Sequence, residues 1–213
     1  MKYSLMILFL LFILYSFIGW SLEVVQELIL KKKFINRGFL IGPYCPIYGI
    51  GAVTMIISLS KYYDDVWTLF IMCIVLFSIL EYTTSYIMEK LFKARWWDYS
   101  KFRFNINGRI CLETTIPFGL GGIFIMYILN PMLLHILNSL PHILLILFTI
   151  VIGLLFVLDI CISINVISNF KKTAKKIKQD NTEEITKKVK DTLLNKNYIK
   201  RRLIKAFPKL KIK

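Results

Sequence analysis

Glu23, Glu81, Glu113 and Asp159 each stand inside a long apolar run of this 213-residue chain. If those runs cross a bilayer, each carboxylate costs roughly 2.5–3.5 kcal/mol on insertion scales, and residues of this kind pair with cations or mark substrate, ion and proton pathways. Glu89 lies eight residues beyond Glu81 with Ser85 between them, so the three share one helix face. The cations that could answer them occur in two similar stretches. Asn36-Arg37-Gly38 leads to Gly42, Pro43 and Pro46 and then Gly49-Ile50-Gly51; Asn107-Gly108-Arg109 leads to Glu113 and Pro117 and then Gly119-Leu120-Gly121. In both stretches a Pro follows the Asn at ten residues. Breaks of this type at matching places in two halves of a membrane protein point to a binding site. The chemistry on offer is anion recognition by Arg37 and Arg109, or proton or cation binding by the carboxylates. The bland alternative is a set of ion pairs that lock two hairpins together and bind nothing.

The same double reading applies to the neighbours. Gly42, Pro43, Pro46, Gly49, Pro117 and Gly119 either break helices beside a cavity or let helices pack closely. Trp96-Trp97-Asp98-Tyr99 reads as an interfacial aromatic anchor, with a gate or a partner contact as its alternative. Cys45, Cys73, Cys111 and Cys161 form no C-x-x-C pair and look like small hydrophobes, and His135 and His142 are isolated, so no metal site is expected. The sequence holds no phosphate loop, dinucleotide fingerprint, nucleophile elbow or H-E-x-x-H motif; no cofactor is expected, and enzymatic activity is disfavoured but open.

The elements that must position these groups follow from composition. With 56% hydrophobic residues the chain needs lipid, and about 20 apolar residues of helix cross the hydrocarbon core. The reading is an all-α integral membrane protein with five transmembrane helices, at about residues 5–30, 41–60, 67–91, 111–129 and 143–170. The connection at 130–142, bracketed by Pro131 and Pro141, reads as an interfacial or re-entrant piece. Residues 1–170 form the membrane domain and 171–213 a basic tail, in which Ile185, Val189 and Leu193, and then Ile199, Leu203 and Phe207, make two apolar stripes at four-residue spacing.

Lys and Arg cluster after the first and third runs and in the tail, which places the N-terminus outside and the C-terminus in the cytoplasm of a plasma-membrane protein. Both repeated stretches then follow an inward-running helix, giving two parallel-repeat hairpins and one further helix, with the carboxylates in the cytoplasmic half. The net charge of +15 fits attraction of the tail to anionic lipid, and nucleic acid is not an expected partner.

Taken together, F-I-G-W-S-L-E at Phe17–Glu23, the stretch from Asn36 to Gly51, E-Y-T-T-S-Y-I-M-E-K-L-F from Glu81 and W-W-D-Y-S with N-I-N-G-R-I-C-L-E through Glu113 resemble the CmpB-like permeases, the family described as "putative ABC-transporter type IV". The resemblance covers most of residues 9–170. It implies a permease-like membrane protein and directs attention to Glu23, Asn36, Arg37, Gly38, Glu81, Glu89, Asp98, Asn107, Arg109 and Glu113. It also implies a separate ATPase chain and a homodimer as partners, since this chain has no phosphate loop of its own. The expected function is transport of an unidentified substrate through a polar Glu/Arg site. A membrane enzyme acting on a lipid or lipid-linked substrate and an accessory or scaffold subunit are the alternatives.

Overall fold

The computed structural model describes residues 3–36, 38, 40–92, 94–176 and 211–212. Helix α1 (Leu5–Lys31) starts at Ser4, whose hydroxyl accepts the Ile7 N–H at 3.3 Å, and ends where Lys32 turns left-handed and donates its N–H to the Leu28 carbonyl. Helices α2 (Pro46–Leu59), α3 (Val66–Phe92), α4 (Leu112–Phe124), α5 (Asn130–Ser139) and α6 (His142–Lys176) follow. A single 3-10 turn at Ser60–Tyr62 ends α2, and a π-helical turn at Ile125–Leu129 joins α4 to α5. Among the described residues the remaining elements are four two-residue strands. Strands β2 (Asn105–Ile106) and β3 (Ile110–Cys111) form an antiparallel hairpin, and β1 (Ala94–Arg95) pairs with β4 (Lys211–Ile212).

Four helical stretches are long and apolar enough to cross a membrane: Leu5–Lys31, Val66–Leu91, Leu112–Ser139 and His142–Asn165. The stretch expected at 41–60 is different. Its helix, α2, has 14 residues, a rise of about 21 Å against about 30 Å of hydrocarbon. The reason is where it begins. The Cys45 N–H donates to the Ser16 carbonyl at 2.9 Å, halfway along α1, so the chain travels back beside α1 before its helix starts. Pro46 then occupies the first helical position, where a missing N–H costs nothing.

The stretch at 130–142, expected as an interfacial or re-entrant piece, is helical to Ser139 and continues the apolar stretch that starts at Leu112. Pro131 has no N–H to offer, and the π turn before it shifts the hydrogen-bond register so that Asn130 N–H reaches the Ile125 carbonyl and the helix continues. The Asn130 side chain is buried and accepts from the Tyr15 hydroxyl at 3.4 Å, which ties α5 to α1.

Helix α1 packs on α2, α3 on α4, and α2 on α3. Two glycines of the repeated stretches serve this packing. A Cβ on Gly49 would meet a Phe12 ring carbon at 2.7 Å, and one on Gly119 would meet Ile74 Cγ1 at 2.7 Å. Both therefore let a short helix lie against the long helix before it, as close-packed membrane helices require. The apolar core gathers Leu10, Leu11, Met55, Ile56, Leu69 and Cys73 with Met126 and Leu137. Apart from Ser16 and Asn130, the buried polar and charged side chains collect instead toward the end of the bundle that carries Lys31, Lys90 and Arg95. Both amphipathic stripes of the tail lie outside the described residues.

Candidate functional site

The two repeated stretches fold into loops that turn back along the helices they follow, and each is held by its own polar framework. In the first, Asn36 acts as a clip. Its Oδ1 accepts the Trp20 indole N–H at 2.7 Å, and its Nδ2 donates to the Ile41 carbonyl at 3.0 Å. Asp159, from α6, accepts the Ile41 N–H at 2.9 Å on Oδ1 and the Gly42 N–H at 2.6 Å on Oδ2, and the Ser163 hydroxyl donates to Oδ1 at 2.9 Å. Asp159, which the sequence leaves open as an ion-pair partner or a site residue, is held here by two backbone N–H groups and the Ser163 hydroxyl, which ties the loop to α6. Gly42 permits this, since a Cβ there would stand 2.8 Å from Asp159 Oδ2. Pro43 continues this loop toward Cys45. Arg37 lies outside the described residues.

The second loop is held by charge. Arg109 is 8% exposed; it donates to Glu89 Oε2 at 2.8 Å and to the Ser85 hydroxyl at 3.0 Å, and its guanidinium lies over the Tyr82 and Tyr86 rings at 5.7 and 5.5 Å. Arg95 approaches Glu89 and Asp98 at 3.5 Å each and donates to the Asn107 carbonyl at 2.5 Å. Two cations and two anions interlock here, so the charge balances. Asn107 and Gly108 have φ of +52° and +63°, the left-handed pair that a tight hairpin turn demands, and the Arg109 N–H closes it onto the Ile106 carbonyl at 2.9 Å. A Cβ on Gly108 would also stand 2.7 Å from Asp98 Oδ1. Asn107 Nδ2 donates to the Tyr82 hydroxyl at 2.9 Å. The Trp97 indole N–H donates to the Arg109 carbonyl at 2.9 Å, and Trp96 is only 4% exposed. Trp96 is thus buried and Trp97 half-buried.

Between the two loops sits a third group. The Tyr48 hydroxyl, from α2, donates to Glu23 Oε1 at 2.7 Å, and the Tyr99 hydroxyl, from the second loop, donates to Glu81 Oε1 at 3.0 Å. Glu23, Glu81 and both tyrosines are close enough to act on one another electrostatically. Glu81 is 7% exposed, and its Oε2 has no hydrogen-bond partner among the described residues. Burial, reinforced by the Glu81 carboxyl, pushes the Tyr99 phenol well above its ordinary range, so it remains a donor.

Of the residues expected to converge, the structure brings Glu23 to Glu81, and Glu89 to Asn107 and Arg109; Asn36 and Asp159 meet on the first loop. Glu113 does not join them; it lies exposed in the first turn of α4. The sequence reading missed Tyr48 and the depth of Tyr99. A tyrosine placed in one repeat beside a buried acid in the preceding helix was the available signal. Among the described residues no group of three or more His, Cys, Asp and Glu side chains could hold a metal ion.

The profile of the family described as "putative ABC-transporter type IV" matches residues 10–164, which take in all three polar groups. No curated protein and no solved structure matches the chain.

Proposed function

The chain belongs to the "putative ABC-transporter type IV" family, and from that premise we propose that it is a multi-pass permease whose substrate passes the paired carboxyls Glu23 and Glu81. One observation carries this reading: the buried Glu81 carboxyl keeps an oxygen unanswered in a neighbourhood where every other described carboxylate is held by donors or cations. A polar group left incomplete inside a membrane domain marks a place for something to bind. The distribution of Lys and Arg supports an N-terminus outside and a C-terminus in the cytoplasm, with the carboxyls in the cytoplasmic half of the plasma membrane. In this arrangement α2 and the loop before it together make one crossing. Energy comes from a separate ATPase chain, and a second copy completes the permease.

The test compares metabolite and lipid profiles of cells carrying the gene, lacking it, or carrying Glu81→Gln. Transport through this site requires the deletion and Glu81→Gln to change the same compounds. A deletion that changes nothing favours a scaffold, the second reading, which draws on the balanced lock of Glu89, Arg95, Asp98 and Arg109.

A further inference from the structure

Resting on that reading, we propose that the Glu81 site takes a primary ammonium group. The argument is one of hydrogen-bond supply. A tyrosine has one hydroxyl hydrogen, and Tyr48 and Tyr99 have spent theirs on Glu23 and Glu81. With the carboxyl ionised, what remains on Glu81 Oε2 is acceptor capacity alone, 93% of the residue being buried. A ligand that completes the ionised group must therefore bring N–H or O–H donors, and beside the Glu81 carboxylate a positive charge is the complement.

Among the described residues the nearby guanidiniums do not fill this role. Arg109 is bonded to Ser85 and Glu89, at the next two turns of α3 beyond Glu81, and Arg95 is shared by Glu89, Asp98 and the Asn107 carbonyl. A bare metal cation would need several more ligands than the described His, Cys, Asp and Glu side chains provide. The two tyrosines that answer the carboxyls are themselves packed against aromatic rings. The Tyr48 ring meets Phe118 edge to face at 6.4 Å, and the Tyr99 ring meets Phe102 in the same manner at 5.8 Å. Fixed rings beside a carboxyl suit an organic cation, which gains from their π faces as well as from the charge.

A soluble amine and the headgroup of an aminophospholipid share this chemistry, and one experiment separates them. The full-length protein, purified in detergent, is unfolded thermally with methylammonium, ethanolamine, tetramethylammonium or sodium chloride at equal ionic strength. The two N–H cations should raise Tm by roughly 2–4 °C at saturating concentration, and the other two should not. The rise should vanish in Glu81→Gln, weaken in Glu81→Asp and persist in Glu113→Gln. Tyr99→Phe, which frees Oε1 as a second acceptor, should keep it. Protection by nanodiscs containing phosphatidylethanolamine over phosphatidylcholine alone, without protection by the free amines, assigns the ammonium to lipid.

Absence of any N–H cation effect in both settings, or an equal effect in a folded Glu81→Gln protein, overturns the proposal; water alone then completes Oε2. Its failure is separable from failure of the transport reading. Methylammonium binding without uptake into proteoliposomes removes transport and keeps the ammonium. Shared metabolite changes in the deletion and Glu81→Gln without ammonium binding do the reverse.

Discussion

The two buried polar groups on the second hairpin, a few residues apart on α3, are built on opposite principles. Around Glu89, two guanidiniums face two carboxylates, with Ser85 and the Asn107 carbonyl taking further donors. Around Glu81, a phenol answers one oxygen and nothing described answers the other. Among the described residues the first arrangement pairs cations with anions, which is what a fastening needs, although the Nε–H groups of Arg95 and Arg109 have no hydrogen-bond partner there. The second is left open, which a fastening has no use for. Burial and residue type are alike in the two places, so neither separates structure from function here. The presence of a paired cation among the described residues does.

The comparison is broken most forcefully at the closed group. Removing one partner of a buried ion pair leaves the other uncompensated, at a cost of about 3–5 kcal/mol. Arg109→Met should therefore lower the thermal stability of the detergent-solubilised protein severely. Glu89→Gln should do nearly as much, because it removes the anion paired with Arg109 and leaves Arg95 only Asp98 and the Asn107 carbonyl. The double variant Glu89→Gln/Arg109→Met should lose less than the sum of the two. Additive losses would mean that the pair is not coupled, and the fastening account of this group would fail.

A smaller loss is expected where the first loop is held. Asp159→Ala deprives the Ile41 and Gly42 N–H groups and the Ser163 hydroxyl of their acceptor. Each hydrogen bond to a charged group is worth about 1.5–3 kcal/mol, partly offset here by relief from keeping a carboxylate in an apolar helix. Amide hydrogen exchange should quicken at residues 41–45 and stay unchanged at 105–111. Faster exchange in both loops would show that the two frameworks act as one.

At the open group the sign itself is informative. Glu81→Gln replaces a buried acid with a neutral amide that can still accept from Tyr99, so stability should change by less than about 1 kcal/mol in the absence of ligand. A loss as large as that of Arg109→Met would place Glu81 among the fastenings. Tyr48→Phe and Tyr99→Phe should each cost about 1 kcal/mol, measured the same way.

How much of this was legible beforehand depended on whether a partner lay near in sequence or was delivered by a fold-back. The carboxylates, Asn36, Asn107 and Arg109 stood out because polar groups in apolar runs are rare. The face shared by Glu81, Ser85 and Glu89 followed from helical period, and it is the face that Arg109 and Tyr99 meet. Tyr48 and Tyr99 did not stand out, since tyrosine is common at membrane boundaries and only the return of each loop along its helix carries the hydroxyl to an acid. The repeat also concealed a difference in helix start. Pro46 and Pro117 stand equally far from their Asn, yet α2 begins at Pro46 while α4 begins at Leu112. The hairpin of β2 and β3 takes up the second stretch early and starts its helix sooner. Glu113 consequently falls on an exposed first turn, where the first stretch has Gly42 pressed against Asp159.

The least effect is expected at the far end of α3, where Asp65 caps the helix outside the membrane-spanning stretch. Its Oδ1 accepts the Trp67 and Thr68 N–H groups at 3.1 Å, and its Oδ2 accepts the Thr68 hydroxyl at 2.5 Å. These bonds, the one from the Thr68 side chain foremost, hold the carboxyl below its ordinary value of 3.8. A group whose folded-state value is depressed stabilises the fold fully above its unfolded value, and that contribution is lost as pH falls through the folded one. The Tm of the parent protein should therefore exceed that of Asp65→Ala at neutral pH, and the gap should close as the pH is taken below 3.8. Because the cap is exposed and both polar groups lie beyond it along α3, Asp65→Ala should leave the ammonium response of Glu81 unchanged. A gap that stays open in acid would mean that the cap works through shape and not charge, and a changed ammonium response would mean that α3 transmits its end conditions to the open site.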